Sequence, residues 1–273
     1  MTPMSLDAMA ASIPDGAMVA LPPDNSLPSV ALAKALIRRG AQGLRLLGVP
    51  ISGFATDILI GAGCVTEVQT SAVTLGEAGF APRFSAALKA GTLRVLDATC
   101  PAIHTMLQAT EKGVPFMPLR GLIGSDILAN RPDWRVVESP FGTGEKITLL
   151  PALQPDVAVF HAVMADSVGN VWVGRRRECA TIAHASKRSL VTVERVVPGN
   201  FLEDERLCPG AINATYISGV AIAERGAQPA ALLDEYGFDT EYVLAYARAA
   251  KTEAGFAEWC AEHVFSARAI AAE

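Results

Sequence analysis

Charged side chains are scarce in this chain: Asp, Glu, Lys and Arg make up 19% of its 273 residues, aromatics 6%, and there are four histidines. Each shortage removes a class of function. Lys and Arg number 23 against 28 Asp and Glu, a net charge of −5, and the one dense basic run, Arg175-Arg176-Arg177, has no interleaved aromatic to stack on a base. Nucleic acid is therefore not an expected partner. Apolar runs are broken by Gly, Pro or charge well before the ~18 residues of a membrane helix, and Met1 to Asp24 lacks the basic-then-apolar pattern of an export signal. The five cysteines, Cys64, Cys100, Cys179, Cys208 and Cys260, are odd in number and scattered, with no C-x-x-C pair. A reducing cytoplasm and the absence of a metal site are the expectations that follow. No G-x-S-x-G is present for a serine hydrolase, and Gly61-Ala-Gly63 falls short of the dinucleotide fingerprint.

What is present is apolar. Hydrophobic residues make up 51% of the chain and the mean hydropathy is +0.30, enough for a large core and high enough to expect apolar surface covered by another protein chain. Strand and helix patterns alternate from the start. Ala17 to Leu21, Leu44 to Val49, Glu67 to Leu75 and Leu93 to Leu96 read as strands. Val30 to Arg39, Ala55 to Ile60, Phe84 to Ala90 and Ala102 to Lys112 read as the helices between and after them, most of them stopped by glycine. This is the pattern of an α/β fold, an open, mostly parallel sheet flanked by helices, and such sheets bind ligands at the carboxyl ends of their strands. Further on, Trp134 to Val137 and Lys146 to Leu149 suggest a hairpin, and Val157 to Phe160, Val171 to Val173 and Ser189 to Val193 read as strands around a helix from Glu178 to Lys187. Residues 228–273 read as a helical C-terminal extension with amphipathic helices at Glu241 to Lys251 and Gly255 to His263. No linker divides the chain, so 1–273 is expected to form one domain.

Three places carry chemistry. In Gly113-Val-Pro-Phe-Met-Pro-Leu-Arg-Gly-Leu-Ile-Gly-Ser-Asp126, a cation (Arg120) meets glycine-opened backbone (Gly121, Gly124) and a helix-starting Ser125-Asp126. That combination either holds an anion or is a helix cap beside a surface Arg. Glu77, between Gly76 and Gly79 at a strand end, is either a base and substrate-orienting group or a loop acid. Cys100 stands before Pro101 at a helix start and is either a reactive thiol or a packed one.

The hub just quoted, together with Asp156-Val-Ala-Val-Phe-His-Ala162, Ala165-Asp-Ser-Val-Gly-Asn170, Val191-Thr-Val-Glu-Arg-Val196, Gly226-Ala-Gln-Pro229 and Tyr236-Gly-Phe-Asp239, resembles the A subunit of family I coenzyme A transferases, the glutaconate CoA-transferase type. The resemblance covers nearly the whole chain in order. It implies the open α/β fold shared with sugar-phosphate isomerases (NagB/RpiA/CoA transferase-like) and an obligate homologous B subunit, in a heterodimer or heterotetramer. It implies a coenzyme A thioester as substrate with a small carboxylic acid as acceptor, and no bound cofactor. The nucleophile of such enzymes is a glutamate in a Glu-x-Gly loop of the B subunit. Here the loop matching it by strand order is Ile51-Ser52-Gly53, which keeps the glycine without the acid. This chain is accordingly expected to be inactive alone, with Ser52, Gly53 and Glu77 beside the acyl group and Arg120, Gly124 and Ser125 shaping an anionic end. The chain departs from related A subunits at Leu21-Pro22-Pro23-Asp24, where a glycine turn is usual. It is also similar to a two-subunit hydrolase of steroid ring opening, whose A-subunit glutamate falls at the position of Cys100. A CoA-thioester hydrolase or C–C lyase, or a non-catalytic protein that binds acyl-CoA, are the alternatives.

Overall fold

The computed structural model describes residues 1–142 and 144–266, so the end of the expected 1–273 domain and of its 228–273 tail lies outside the described residues. After helix α1 (Leu6–Ala11), four strand–helix units follow: β1 (Met18–Leu21) and α2 (Val30–Arg39), β2 (Leu44–Gly48) and α3 (Phe54–Gly61), β3 (Val65–Thr70) and α4 (Pro82–Ala90), β4 (Arg94–Asp97) and α5 (Cys100–Glu111). The chain then forms β5 (Phe116–Leu119), a short α6 (Ile127–Asn130), β6 (Arg135–Glu138) and β7 (Lys146–Pro151). It returns to the main sheet through β8 (Val157–Asp166), β9 (Val171–Trp172), α7 (Arg177–Ala185), β10 (Ser189–Val197), β11 (Ala211–Ile212) and β12 (Gly219–Ile222), and finishes with α8 (Thr240–Ala249) and α9 (Glu253–His263).

The parallel core of the main sheet runs β12-β10-β8-β1-β2-β3-β4, with β9 and β11 paired antiparallel at the carboxyl end of β8. Strand order reverses between β1 and β8, so the loop after β1 lies at the topological switch point where open α/β sheets bind ligands. Both faces of the sheet are covered, and side chains alternate between two cores. Val19, Leu46 and Val159 pack with α1 to α4, α8 and α9, whereas Ala20, Leu47 and Phe160 pack with α5 and α7 on the other side. The mostly parallel open sheet flanked by helices is as the strand and helix periodicity predicts.

Three elements differ from their sequence patterns. β3 stops at Thr70 rather than running to Leu75, because Thr70 Oγ1 donates to the Ala72 carbonyl at 2.9 Å and Ser71 N–H donates to the Pro50 carbonyl, turning the chain over β2. The apolar run of the hub is a strand, β5, antiparallel to β7 in a separate sheet ordered β5-β7-β6. Pro118 is tolerated within it because β5 is an edge strand with one partner. β8 continues through His161 to Asp166, since Val157 to Val163 are all buried and the imidazole is satisfied inside the sheet.

The C-terminal helices are built into the first core. Tyr246, fully buried, meets Phe54 of α3 edge-on at 4.8 Å and Trp259 of α9 at 4.9 Å. Each such ring contributes roughly 2–3 kcal/mol by burial and about 1 kcal/mol by its edge contacts. The Tyr246 hydroxyl donates at 2.7 Å to Asp57, a fully buried carboxylate on α3 that also accepts the first N–H groups of α4 from Arg83 and Phe84. Arg83 in turn pairs with Glu253 and lies over the Phe256 ring. Burial pushes the Asp57 carboxyl above its usual range against these hydrogen bonds.

Candidate functional site

The loops at the carboxyl ends of β1, β2 and β3 enclose a cavity of about 510 Å³. Pro23, Asp24 and Asn25 come from the first loop, Ile51, Ser52 and Gly53 from the second, and Thr74 to Ala78 from the third. Phe238, Thr240 and Val243 close it from the side of α8. Of the residues singled out by sequence, Ser52, Gly53 and Glu77 are brought together here.

Each reaches the cavity differently. Ser52 is buried, and its hydroxyl turns towards Thr70 Oγ1 at 3.4 Å, not outward. Its backbone pairs with the following loop, N–H to the Ala72 carbonyl and carbonyl from Thr74 N–H, which fixes the two loops against each other. Glu77 sits exposed in a 3-10 turn, Gly76–Ala78, whose neighbours Gly76 (φ 62°) and Gly79 (φ 90°) take left-handed backbone that a side chain would strain. That turn lies against α8.

Gly53 is the N-cap of α3 and has no side chain to cap it. The cap comes from Asp24 instead: its Oδ2 and Oδ1 accept the Phe54 N–H at 3.0 and 3.1 Å. Glycine is required by this arrangement, because a Cβ at position 53 would stand 2.2 Å from Asp24 Oδ2. Burial among the apolar loop residues pushes the Asp24 carboxyl up to about 6, partly offset by the Phe54 N–H and reinforced by the charge of Asp57. Its sequence context does not announce this shift. Asp24 thus joins the site although it reads in the sequence only as the end of a proline-stiffened loop.

Arg120, Gly124 and Ser125 lie elsewhere, outside the cavity lining. Arg120, at the end of β5, is 81% exposed and forms a two-pronged ion pair with Glu145, at 2.8 Å through Nε and 2.9 Å through Nη2. Gly124 has φ 82°, and the Ser125 hydroxyl is buried without a hydrogen-bond partner. Their segment is tied to the carboxyl end of β4, where Arg131 donates to the Asp97 carbonyl at 3.0 Å and Asn130 reaches the Asp97 carboxylate at 3.4 Å. Cys100 is the first residue of α5, capped by Thr99. Its thiol is exposed and lies 3.3 Å from Ser71 Oγ.

A second buried network borders the switch point. His161 is fully buried, with Nδ1 2.9 Å from Thr192 Oγ1 and Nε2 2.8 Å from Glu194 Oε1, and Thr192 meets Ser29, the N-cap of α2, at 2.7 Å. A proton on Nε2 and a lone pair on Nδ1 satisfy every partner. Burial works against the Glu194 charge, but hydrogen bonds from His161, the Arg225 N–H and Tyr236 outweigh it, holding the carboxyl below its usual range. Among the described residues no group of His, Cys, Asp and Glu is arranged to hold a metal, and no helix is long and apolar enough to cross a membrane.

Comparison with known proteins agrees with this architecture. Residues 3–219 match the family model of coenzyme A transferases. The chain is 30% identical over 250 residues to the A subunit of glutaconate CoA-transferase from Acidaminococcus fermentans, covering 84% of this chain and 77% of that one. The crystal structure of that organism's enzyme superposes with a TM-score of 0.89 at 27% identity, over 97% of this chain and 89% of its own. A 31% match over 253 residues joins it to the cholesterol ring-cleaving hydrolase IpdA subunit of Rhodococcus jostii, covering 86% of this chain and 82% of the relative. An uncharacterized protein of Archaeoglobus fulgidus is 30% identical over 84% of this chain, which spans only 51% of that protein's length. With the parallel sheet, the loops at its carboxyl edge and these relatives in agreement, the chain belongs to the coenzyme A transferase family, among its A subunits.

Proposed function

We propose that this chain is one wall of the active site of a two-subunit enzyme, working in the cytoplasm, that moves coenzyme A between an acyl-CoA and a small carboxylic acid. The observation that carries the reading is the cavity at the carboxyl ends of β1 to β3, bordered by a β2 loop, Ile51-Ser52-Gly53, that offers no acid. The nucleophile is then a glutamate of a homologous B subunit. Its carboxylate attacks the thioester carbonyl and CoA leaves as thiolate, giving an acyl–glutamyl anhydride. The thiolate then attacks the glutamyl carbonyl and frees the carboxylic acid, leaving a glutamyl–CoA thioester for the acceptor acid to take over. No bound cofactor enters any step. Residues 1–273, with their helical tail, act as one unit in this scheme, with Gly53 and Glu77 beside the acyl group and Ser52 fixing the loop between them. Arg120, Gly124 and Ser125 remain candidates for an anionic part of the ligand beyond the cavity.

A test is to recover the chain with its partner, incubate with acyl-CoA and acetate, and trap with borohydride or hydroxylamine. Modification of a partner glutamate supports the transferase. The alternative reading, a CoA-thioester hydrolase or C–C lyase, draws on the 31% identity to a chain named as part of a ring-cleaving hydrolase and on the exposed Cys100 thiol. Thioester loss without an acceptor, abolished by Cys100→Ser and with no glutamate trapped, would favour it. Binding of CoA esters without turnover would leave a non-catalytic role.

A further inference from the structure

The cavity has a chemical character that narrows its ligand. Its walls are largely apolar, with Pro23, Ile51, Leu75, Phe238 and Val243 among the lining residues, and Asp24 and Glu77 are its two charged side chains. Among the described residues that line it there is no Lys, Arg or His. The start of α3, where free N–H groups and the helix dipole would otherwise attract an anion, is already held by the Asp24 carboxylate at 3.0 Å from the Phe54 N–H. The Ser52 hydroxyl is turned away to Thr70, and the Thr74 hydroxyl donates to the Gly79 carbonyl at 3.4 Å. A second carboxylate carried into this space would lose its water, find two like charges and meet no cation. A hydrocarbon tail would meet matching walls.

We propose that this cavity selects a neutral, hydrocarbon acyl tail and rejects an acyl group ending in a second carboxylate. The inference rests on the reading of the cavity as the acyl site of a CoA-ester enzyme, and adds the substrate class. Asp24 and Glu77 are the specificity-determining residues.

Pentanoyl-CoA and glutaryl-CoA make the comparison direct, because they have the same chain length and differ in a terminal methyl against a terminal carboxylate. Both are titrated against the enzyme assembled with its partner, and kcat/KM is measured with acetate as acceptor. The expected result is at least a tenfold preference for pentanoyl-CoA. Glu77→Gln, at an exposed position that leaves the fold intact, and Asp24→Asn, which keeps an oxygen for the Phe54 N–H, should each narrow the gap by improving glutaryl-CoA. Equal or better use of glutaryl-CoA would overturn the selectivity while leaving the transferase reading standing, and would point to a cation brought by the partner. A preference that neither substitution narrows would overturn the role of the two acids. If neither ester binds or turns over, the reading of the cavity as an acyl-CoA site fails and the selectivity falls with it.

Discussion

Asp24→Asn is predicted to stabilise the folded chain, by an amount that grows with pH. The native carboxyl is pushed up to about 6 from an ordinary value of 3.8, with burial the largest cause. A group whose folded value lies above its unfolded value favours folding fully below the unfolded value and loses that advantage as pH rises to the folded one. The window here is therefore roughly pH 4 to 6, and above it the ionised carboxylate costs about 3 kcal/mol, from about two units at 1.36 kcal/mol each. Near pH 4.5 the same cost is only about 1 kcal/mol, because the folded carboxyl is then mostly neutral. Asparagine is neutral throughout and keeps one oxygen for the Phe54 N–H, so both its helix cap and its volume persist. Urea unfolding of both proteins at about pH 4.5 and pH 7.5 should show the variant gaining about 2 kcal/mol relative to the native chain between the two conditions. Taking the difference between the two proteins cancels every other titrating group that does not touch Asp24. Asp57, on α3, is its acidic neighbour, and Glu77 shares the cavity. A gain that is the same at both pH values, or a variant less stable near pH 7.5, would refute the claim that the buried ionised carboxyl is the source.

The remaining predictions concern the supports of the same site. Gly53→Ala should push Asp24 off the Phe54 N–H, since the new Cβ meets the carboxylate at 2.2 Å; a loss of about 1–2 kcal/mol in chemical denaturation is expected from the lost cap and strain, and a neutral effect would show that the loop yields freely. Tyr246→Phe removes the hydroxyl that donates to buried Asp57 and should cost about 1–3 kcal/mol, read as a lower unfolding midpoint in urea at unchanged slope. Glu194→Gln should weaken the chain by roughly 1.5–3 kcal/mol near neutral pH. Its carboxyl is held below the usual range by His161, Arg225 and Tyr236, so the native charge stabilises above about pH 4.5 and loses its effect as acidification protonates it. The penalty of the substitution should therefore shrink on acidification, and a penalty independent of pH would contradict that assignment. Arg120→Ala should leave stability within about 1 kcal/mol of native, because its pair with Glu145 is at the surface. Unchanged acyl-CoA affinity in calorimetry would remove Arg120 from the ligand.

Much of this fold could be read in advance because its first hundred residues obey local rules. Glycine ends α2 and α4 in left-handed conformation at Gly40 and Gly91, and proline starts α4 and α5, so periodicity and punctuation agree. The misreadings have non-local causes. Pro115 just before β5 and Pro118 within it argue against a strand until its place at the edge of the small sheet is known. His161 interrupts an apolar run, and only the register of β8 on β10, which sets it opposite Thr192, shows that the strand passes through it. The tail does form the helix pair its amphipathic pattern predicts, and only the partner of its apolar face, Phe54, almost two hundred residues earlier, is out of local reach.

The site itself was legible only in part, for the same reason. Glu77 could be picked out because Gly76 and Gly79 and a strand end mark it within a few residues, and Gly53 through the resemblance of its loop to a Glu-x-Gly loop. Asp24 could not, since its role is defined by a glycine twenty-nine positions later whose missing side chain makes room for its carboxylate. Local reading of Leu21-Pro22-Pro23-Asp24 registers only lost flexibility and lost N–H donors. In the folded chain the two prolines are buried, and Asp24, which follows them, lines the cavity and caps α3. The loop after β1 thus presents a fixed acceptor, the Asp24 carboxylate, to the Phe54 N–H. With that carboxylate on the Phe54 N–H, the start of α3 is no longer open to an anionic ligand, which limits what this sheet edge can hold.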